Sequence, residues 1–175
     1  ISERYTVLAN DLGMQGPQFQ TLLQVWRSDE PDKDISSDGH EANYISSSEE
    51  LLARVAMPAD ADRYHMHPAM LDGVFQLMGF ACVDESNKES SVFEQSWSPA
   101  GIDRVEMHAS VGRGSDMGST AGDVNDFVWA HGRVVEASPK VRVMDFTIYR
   151  DDSTSDASSS TALMTLRGFR SAVVP

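Results

Sequence analysis

The stretch from Pro68 to Val83 most constrains what this chain can become, because Met70, Leu71, Val74, Phe75, Leu77, Met78, Phe80 and Ala81 cover nearly every face of a helix. Pro68 suits a first helical turn, and the run is longer than a typical strand. It predicts a buried helix. The segments around it are patterned differently. Phe19 to Arg27, Glu50 to Met57, Ile102 to Val111, Phe127 to Ala137, Val141 to Arg150 and Ala162 to Val174 are rich in β-branched and aromatic residues with partial period-two alternation. Such segments read as strands. In Val141 to Arg150 the Met144, Phe146 and Ile148 face is apolar against Asp145, Thr147 and Tyr149, the pattern of a half-buried antiparallel strand. One apolar helix among strands that do not alternate with helices predicts an α+β fold, with an antiparallel sheet wrapped around the helix. It argues against a parallel nucleotide-binding sheet.

At 175 residues and 41% hydrophobic content, the chain has the apolar material for one core, so residues 1–175 read as a single domain. Its 27 Asp+Glu against 14 Lys+Arg give a formal charge of −13, which excludes a phosphate-tracking surface and with it nucleic acid as a partner. The Pro68 to Val83 run is too short and polar to span a bilayer, and no charged-then-apolar leader opens the chain, so no membrane role is expected. A single cysteine, Cys82, and the lack of any Asn-x-Ser/Thr acceptor fit a reducing cytoplasm. Ile1 in first position suggests a segment of a longer polypeptide.

Four polar stretches punctuate the pattern: Ser28 to Ser48, Asp84 to Ser91, Gly112 to Asn125 and Asp151 to Ser160. Each reads as a surface connection inside the domain. Ser2 offers capping chemistry ahead of Tyr5, Leu8 and Leu12, and Gly13 stands where a helix would stop, which predicts a short opening helix.

Asp72 and Gln76 are the strongly polar side chains in the body of the long helix, and a spacing of four puts them on one face, one turn apart. A carboxyl among apolar side chains favours its protonated form and becomes a proton donor, whereas the dipole at a helix N-terminus favours the anion. Gln76 could orient the carboxyl through its amide. On spacing alone, a solvent-facing or locally hydrogen-bonded first-turn Asp72 is the favoured reading. His65 and His67 alternate as a metal-binding pair would, but no third ligand stands at a recognisable spacing, so His67 is expected to fix the turn before the helix. The glycines of Gly112 to Gly118 lack phosphate-loop spacing, and a strand follows them. No GxSxG elbow offers a nucleophile. Trp26, Trp97 and Trp129 read as packing residues rather than a stacking platform.

The run His67-Pro68-Ala69-Met70-Leu71-Asp72-Gly73-Val74-Phe75-Gln76 resembles the HPALLDxxxQ signature of the dehydratase domains of modular type I polyketide synthases. Upstream, Gly13-Met14-Gln15-Gly16-Pro17-Gln18-Phe19-Gln20 is similar to that family's GxxYGPxFQ turn, and Leu51 to Pro58 resembles its next strand. Downstream, Ser96-Trp97 and Gly101 to Ala109 are similar to SWxGVxLHA, and Val143 to Val173 resembles the closing strand pair. The likeness runs along nearly the whole chain in order. It implies a hotdog fold, one half of a double hotdog. In that family a histidine of the first half removes the α-proton and an aspartate of the second protonates the departing β-hydroxyl. The resemblance is to the second, C-terminal half alone.

By that resemblance Asp72 is the acid, Gln76 its orienting partner, and Gly16, Pro17, Phe19 and His67 contact the acyl substrate. The implied substrate is a β-hydroxyacyl chain carried on the phosphopantetheine of an acyl carrier protein, and no metal or diffusible cofactor is implied. The implied partners are that carrier, the N-terminal hotdog half, other synthase domains and a possible second copy of the chain. The first half's HxxxGxxxxP is matched in part only by His108 and Gly112, with Met117 at the proline position, and His108 also lies on the LHA stretch; it reads as a strand residue. Gln15 replaces the tyrosine of YGP. A related isomerase or cyclase, or a non-catalytic hotdog that binds the carrier or scaffolds the synthase, are the rival expectations.

Overall fold

The computed structural model describes residues 19–28, 49–81, 97–109, 127–138, 140–150 and 162–173. The expected opening helix, Gly16, Pro17 and most of the four polar stretches lie outside them. The described residues form strands β1 (Leu22–Arg27), β2 (Glu50–Ala56), β3 (Trp97–Gly101), β4 (Arg104–Met107), β5 (Phe127–Ala137), β6 (Val141–Arg150) and β7 (Ala162–Val173), with one α-helix, α1 (Pro68–Phe80). A short 3-10 turn, Ala61–Arg63, precedes the helix. The strands make one antiparallel sheet in the order β1-β2-β5-β6-β7-β3, and β4 also pairs with β7. No helix among the described residues is long and apolar enough to cross a membrane.

One face of this sheet and one face of α1 make the core. Leu51, Ala53 and Val55 of β2, Val128, Ala130 and Val134 of β5, and Met144, Phe146 and Ile148 of β6 alternate inward and are buried, as period-two strands require. α1 packs on β1, β2 and β6. Phe75 stacks on Phe169 at 4.2 Å between ring centroids, with Phe146 at 6.2 Å. Each large side chain so buried contributes roughly 1.5–3 kcal/mol.

Two expectations differ from the structure. The strand expected at Ile102 to Val111 is the shorter β4, and it is preceded by β3, which the sequence pattern does not announce: Pro99 and Gly101 weaken its strand signal, yet its backbone pairs with the end of β7. The helix is also not buried all round. Ala69, Met70, Gly73, Val74, Leu77 and Met78 are buried, while Leu71, Asp72, Phe75, Gln76, Gly79 and Phe80 stay half-buried. The sheet covers one face and leaves an apolar one partly open.

Gly168 on β7 has φ 63°, a left-handed conformation that glycine adopts at little cost. The register moves there from Met144↔Phe169 to Phe146↔Leu166, so one extra residue bulges from β7 opposite Asp145. The Gly168 N–H donates to Asp145 at 2.9 Å, and Arg167 donates to the same carboxyl at 2.9 Å. Burial pushes Asp145 up, but the Gly168 N–H, Arg167 and Arg133 outweigh it and hold the carboxyl below its usual range.

Glu49, one residue ahead of β2, shares the inward parity of Leu51 and Ala53. Its side chain is 7% exposed, with Arg27 Nε 2.7 Å from Oε1. That approach is close but misaligned, so neither carboxyl oxygen has a hydrogen-bond partner among the described residues. Burial raises the Glu49 pKa from 4.5 to about 7 against the pull of Arg27 and Arg142. The folded chain therefore holds a proton between pH 4.5 and 7 that the unfolded chain has released. Stability should fall as pH rises through that window, by on the order of 1–3 kcal/mol. Glu49→Gln, which cannot titrate, should flatten that slope in urea unfolding measured from pH 4.5 to 8; an unchanged slope would assign it to other groups.

Candidate functional site

The site grows from the start of α1. His67 is its N-cap, and its Nδ1 accepts the Ala69 N–H at 3.1 Å. This satisfies one of the helix's orphan donors. Because Nδ1 accepts, the ring proton sits on Nε2, which faces Asp60 Oδ1 at 3.1 Å. The Tyr64 ring meets the imidazole edge-on at 4.7 Å. Both ring nitrogens are thus engaged within the chain, and Pro68 follows at the first helical position, where its fixed φ suits the helix and its missing N–H costs nothing.

With the start fixed there, Asp72 and Gln76 fall on the half-buried side of α1. Gln76 Nε2 donates to Asp72 Oδ2 at 2.9 Å and to the Phe19 carbonyl at 3.1 Å. One amide nitrogen thereby uses both of its hydrogens, so a residue ahead of β1 fixes the amide and the amide fixes the carboxyl. Asp72 lies in the second helical turn, and the first turn holds no acidic residue. The helix dipole, which fades beyond the first turn, therefore acts weakly on it. Leu71, Phe75 and Phe80 pack against the core from the same half-buried face. The result is a carboxyl with an oriented amide on an apolar surface.

Of the residues singled out in the sequence, the structure brings together Asp72, Gln76 and Phe19, the last through its backbone carbonyl. His67 stands at the base of the same helix as its cap. Gly16 and Pro17 lie outside the described residues. His108 follows β4, and its Nε2 lies 3.1 Å from Thr165 Oγ1 of β7. Among the described residues no three His, Cys, Asp or Glu side chains gather as metal ligands.

Sequence reasoning passed over Thr21 and Gly73. Thr21 is buried and donates to the Ala69 carbonyl at 2.9 Å. A Cβ at Gly73 would overlap Thr21 Oγ1 and come within 2.9 Å of Val55 Cγ1, so helix and strand approach as closely as glycine permits. A glycine inside an otherwise regular helix was the available signal, since it costs about 1 kcal/mol relative to alanine and calls for a packing reason.

An antiparallel sheet around one helix defines a hotdog half, here with a carboxyl and an amide on the helix face the sheet leaves open. Residues 42–143 match the family model described as the polyketide synthase dehydratase N-terminal domain, and the chain belongs to the polyketide synthase dehydratase family. A phenolphthiocerol synthesis polyketide synthase type I of Mycobacterium bovis is 34% identical over 85 residues, which are 46% of this chain and 3% of that protein. The dehydratase domain from the CurJ module of the curacin polyketide synthase has the same fold, with a TM-score of 0.63 at 18% identity over 99% of this chain and 47% of that one. A dehydratase variant from the CurK module gives 0.58 at 16% identity over 98% and 48%. The chain spans about half the length of these solved dehydratases and a few per cent of the mycobacterial synthase.

Proposed function

We propose that this chain is the acid-bearing, C-terminal half of a polyketide synthase dehydratase that removes water from β-hydroxyacyl chains held on the phosphopantetheine of an acyl carrier protein. The single observation that carries the reading is the Asp72–Gln76 pair on the open face of α1. The matching family model is named for an N-terminal domain; the assignment to the other half rests on the chain carrying the family's aspartate motif without its HxxxGxxxxP. An Asp-to-Asn variant of the CurK dehydratase is described as inactive, as is a His-to-Phe variant, which supports a two-residue chemistry.

In this reading a base from the other half takes the α-proton, and the C–H electron pair becomes the new α,β double bond. The β-carbon to oxygen bond breaks as Asp72 gives its proton to the departing hydroxyl, which leaves as water. Asp72 remains as the carboxylate. Gln76 holds it throughout, since an amide N–H can donate to Oδ2 in either protonation state. Leu71 and Phe75 give the acyl chain an apolar wall, and His67 fixes the start of the helix that presents the acid. The two halves, the carrier protein and the neighbouring synthase domains are the partners, in the cytoplasm.

Intact mass spectrometry of a β-hydroxyacyl carrier protein incubated with the assembled two-half domain tests this. Loss of one water supports it. An unchanged mass with altered acyl structure would indicate double-bond shift or cyclisation instead, and no turnover would leave a binding or scaffolding module.

A further inference from the structure

We propose that Thr21 is a positioning residue for the reaction, setting through its hydroxyl the height and rotation at which α1 presents Asp72 and Gln76. This rests on the reading of Asp72 as the proton donor. The geometry is specific. Thr21 lies just ahead of β1 and is tied to β2 by the Ala56 N–H, which donates to its carbonyl at 2.6 Å. From that fixed point its hydroxyl donates to the Ala69 carbonyl at 2.9 Å, one helical turn before Gly73. Two residues upstream, the Phe19 carbonyl receives Gln76. The segment 19–21 therefore holds α1 at two heights, a turn below and a turn above Asp72.

The second element is steric. Gly73 sits directly after Asp72, and the space its missing Cβ leaves is filled by Thr21 Oγ1. The hydroxyl is at once a tether and a spacer. Without it the helix keeps its apolar seat on Val55, Phe146 and Phe169 and the Gln76 bond to Phe19, but loses the directed hydrogen bond from Thr21 that holds its backbone a turn below Asp72. A small rotation moves a carboxyl at the helix surface further than it moves the backbone, and misplacement of a reacting group by about 1 Å can cost 100-fold in rate.

The test uses the assembled dehydratase with Thr21→Ala, Thr21→Ser and the pair Thr21→Ala/Gly73→Ala, with thermal unfolding of each variant measured alongside. Thr21→Ser is the informative variant, since it restores the hydroxyl alone. In the pair a methyl at Gly73 meets the Cβ of residue 21 at 3.4 Å but still comes within 2.9 Å of Val55 Cγ1, on a buried β-branched side chain, so the pair should melt below wild type. Its kcat should stay about 10- to 30-fold low with KM little changed, because the tether is still gone. Thr21→Ser should return kcat to within about threefold. Wild-type kcat in the paired variant, or Thr21→Ser as slow as Thr21→Ala, would overturn the proposal. Asp72→Asn run in parallel separates the two claims: an inactive Asp72→Asn beside a fully active Thr21→Ala refutes Thr21 alone, whereas a fully active Asp72→Asn refutes the donor reading on which it rests.

Discussion

Asp72→Asn in the assembled two-half dehydratase should fold normally and lose about 100-fold or more in the rate of water loss. Asparagine keeps the size of the side chain and an oxygen that can accept from Gln76 at the 2.9 Å position, so the pair survives as structure. What disappears is the acidic proton. Hydroxide is a poor leaving group, and without protonation the β-carbon to oxygen bond must break against the full charge of the departing oxygen. Gln76→Ala should cost less, about three- to tenfold, since it loosens the carboxyl without removing it. Asp62→Asn, at an exposed residue of the short turn before α1, should cost nothing. If Asp72→Asn behaved like Asp62→Asn, the carboxyl would be a surface group and the chain a binding module.

The second large effect is an absence of turnover. The 175-residue chain by itself should not dehydrate a β-hydroxyacyl carrier protein, because elimination needs a base across the substrate from the acid. Three of the four described histidines are engaged elsewhere: His67 uses both ring nitrogens at the helix start, His131 faces Glu50 at 3.4 Å and His108 is at Thr165. His65 is exposed ahead of α1. Adding the histidine-bearing half in trans should restore water loss. Steady turnover by the purified chain, monomeric and without a partner, would contradict the division of acid and base between two halves.

Much of this was legible in the residues. The helix and its polar pair are local facts: apolar spacing, a proline at the start and two polar residues four apart determine both the element and the shared face, and the 2.9 Å bond between Asp72 and Gln76 follows. β6 was equally readable, since Met144, Phe146 and Ile148 alternate without interruption. Three things were not. Periodicity cannot distinguish an apolar face covered by the same chain from one left open, so α1 read as buried all round when Leu71, Phe75 and Phe80 are half-buried. The Thr21 to Ala69 hydrogen bond joins residues 48 apart, and nothing local in either segment announces it. Glu49 stands just ahead of a strand whose alternation turns it inward beside Arg27, which its position after a run of serines conceals.

The central claim concerns which group handles the departing oxygen, and oxygen exchange reads that step directly. By microscopic reversibility, the residue that protonates the leaving hydroxyl must also deprotonate water when it adds back to the double bond. The assembled enzyme, given an α,β-unsaturated acyl carrier protein in water enriched in oxygen-18, should place the label on the β-carbon. The Asp72→Asn enzyme should do so about 100-fold more slowly, while a melting curve shows it folded. Label incorporated by the Asp72→Asn enzyme at the wild-type rate would contradict the account.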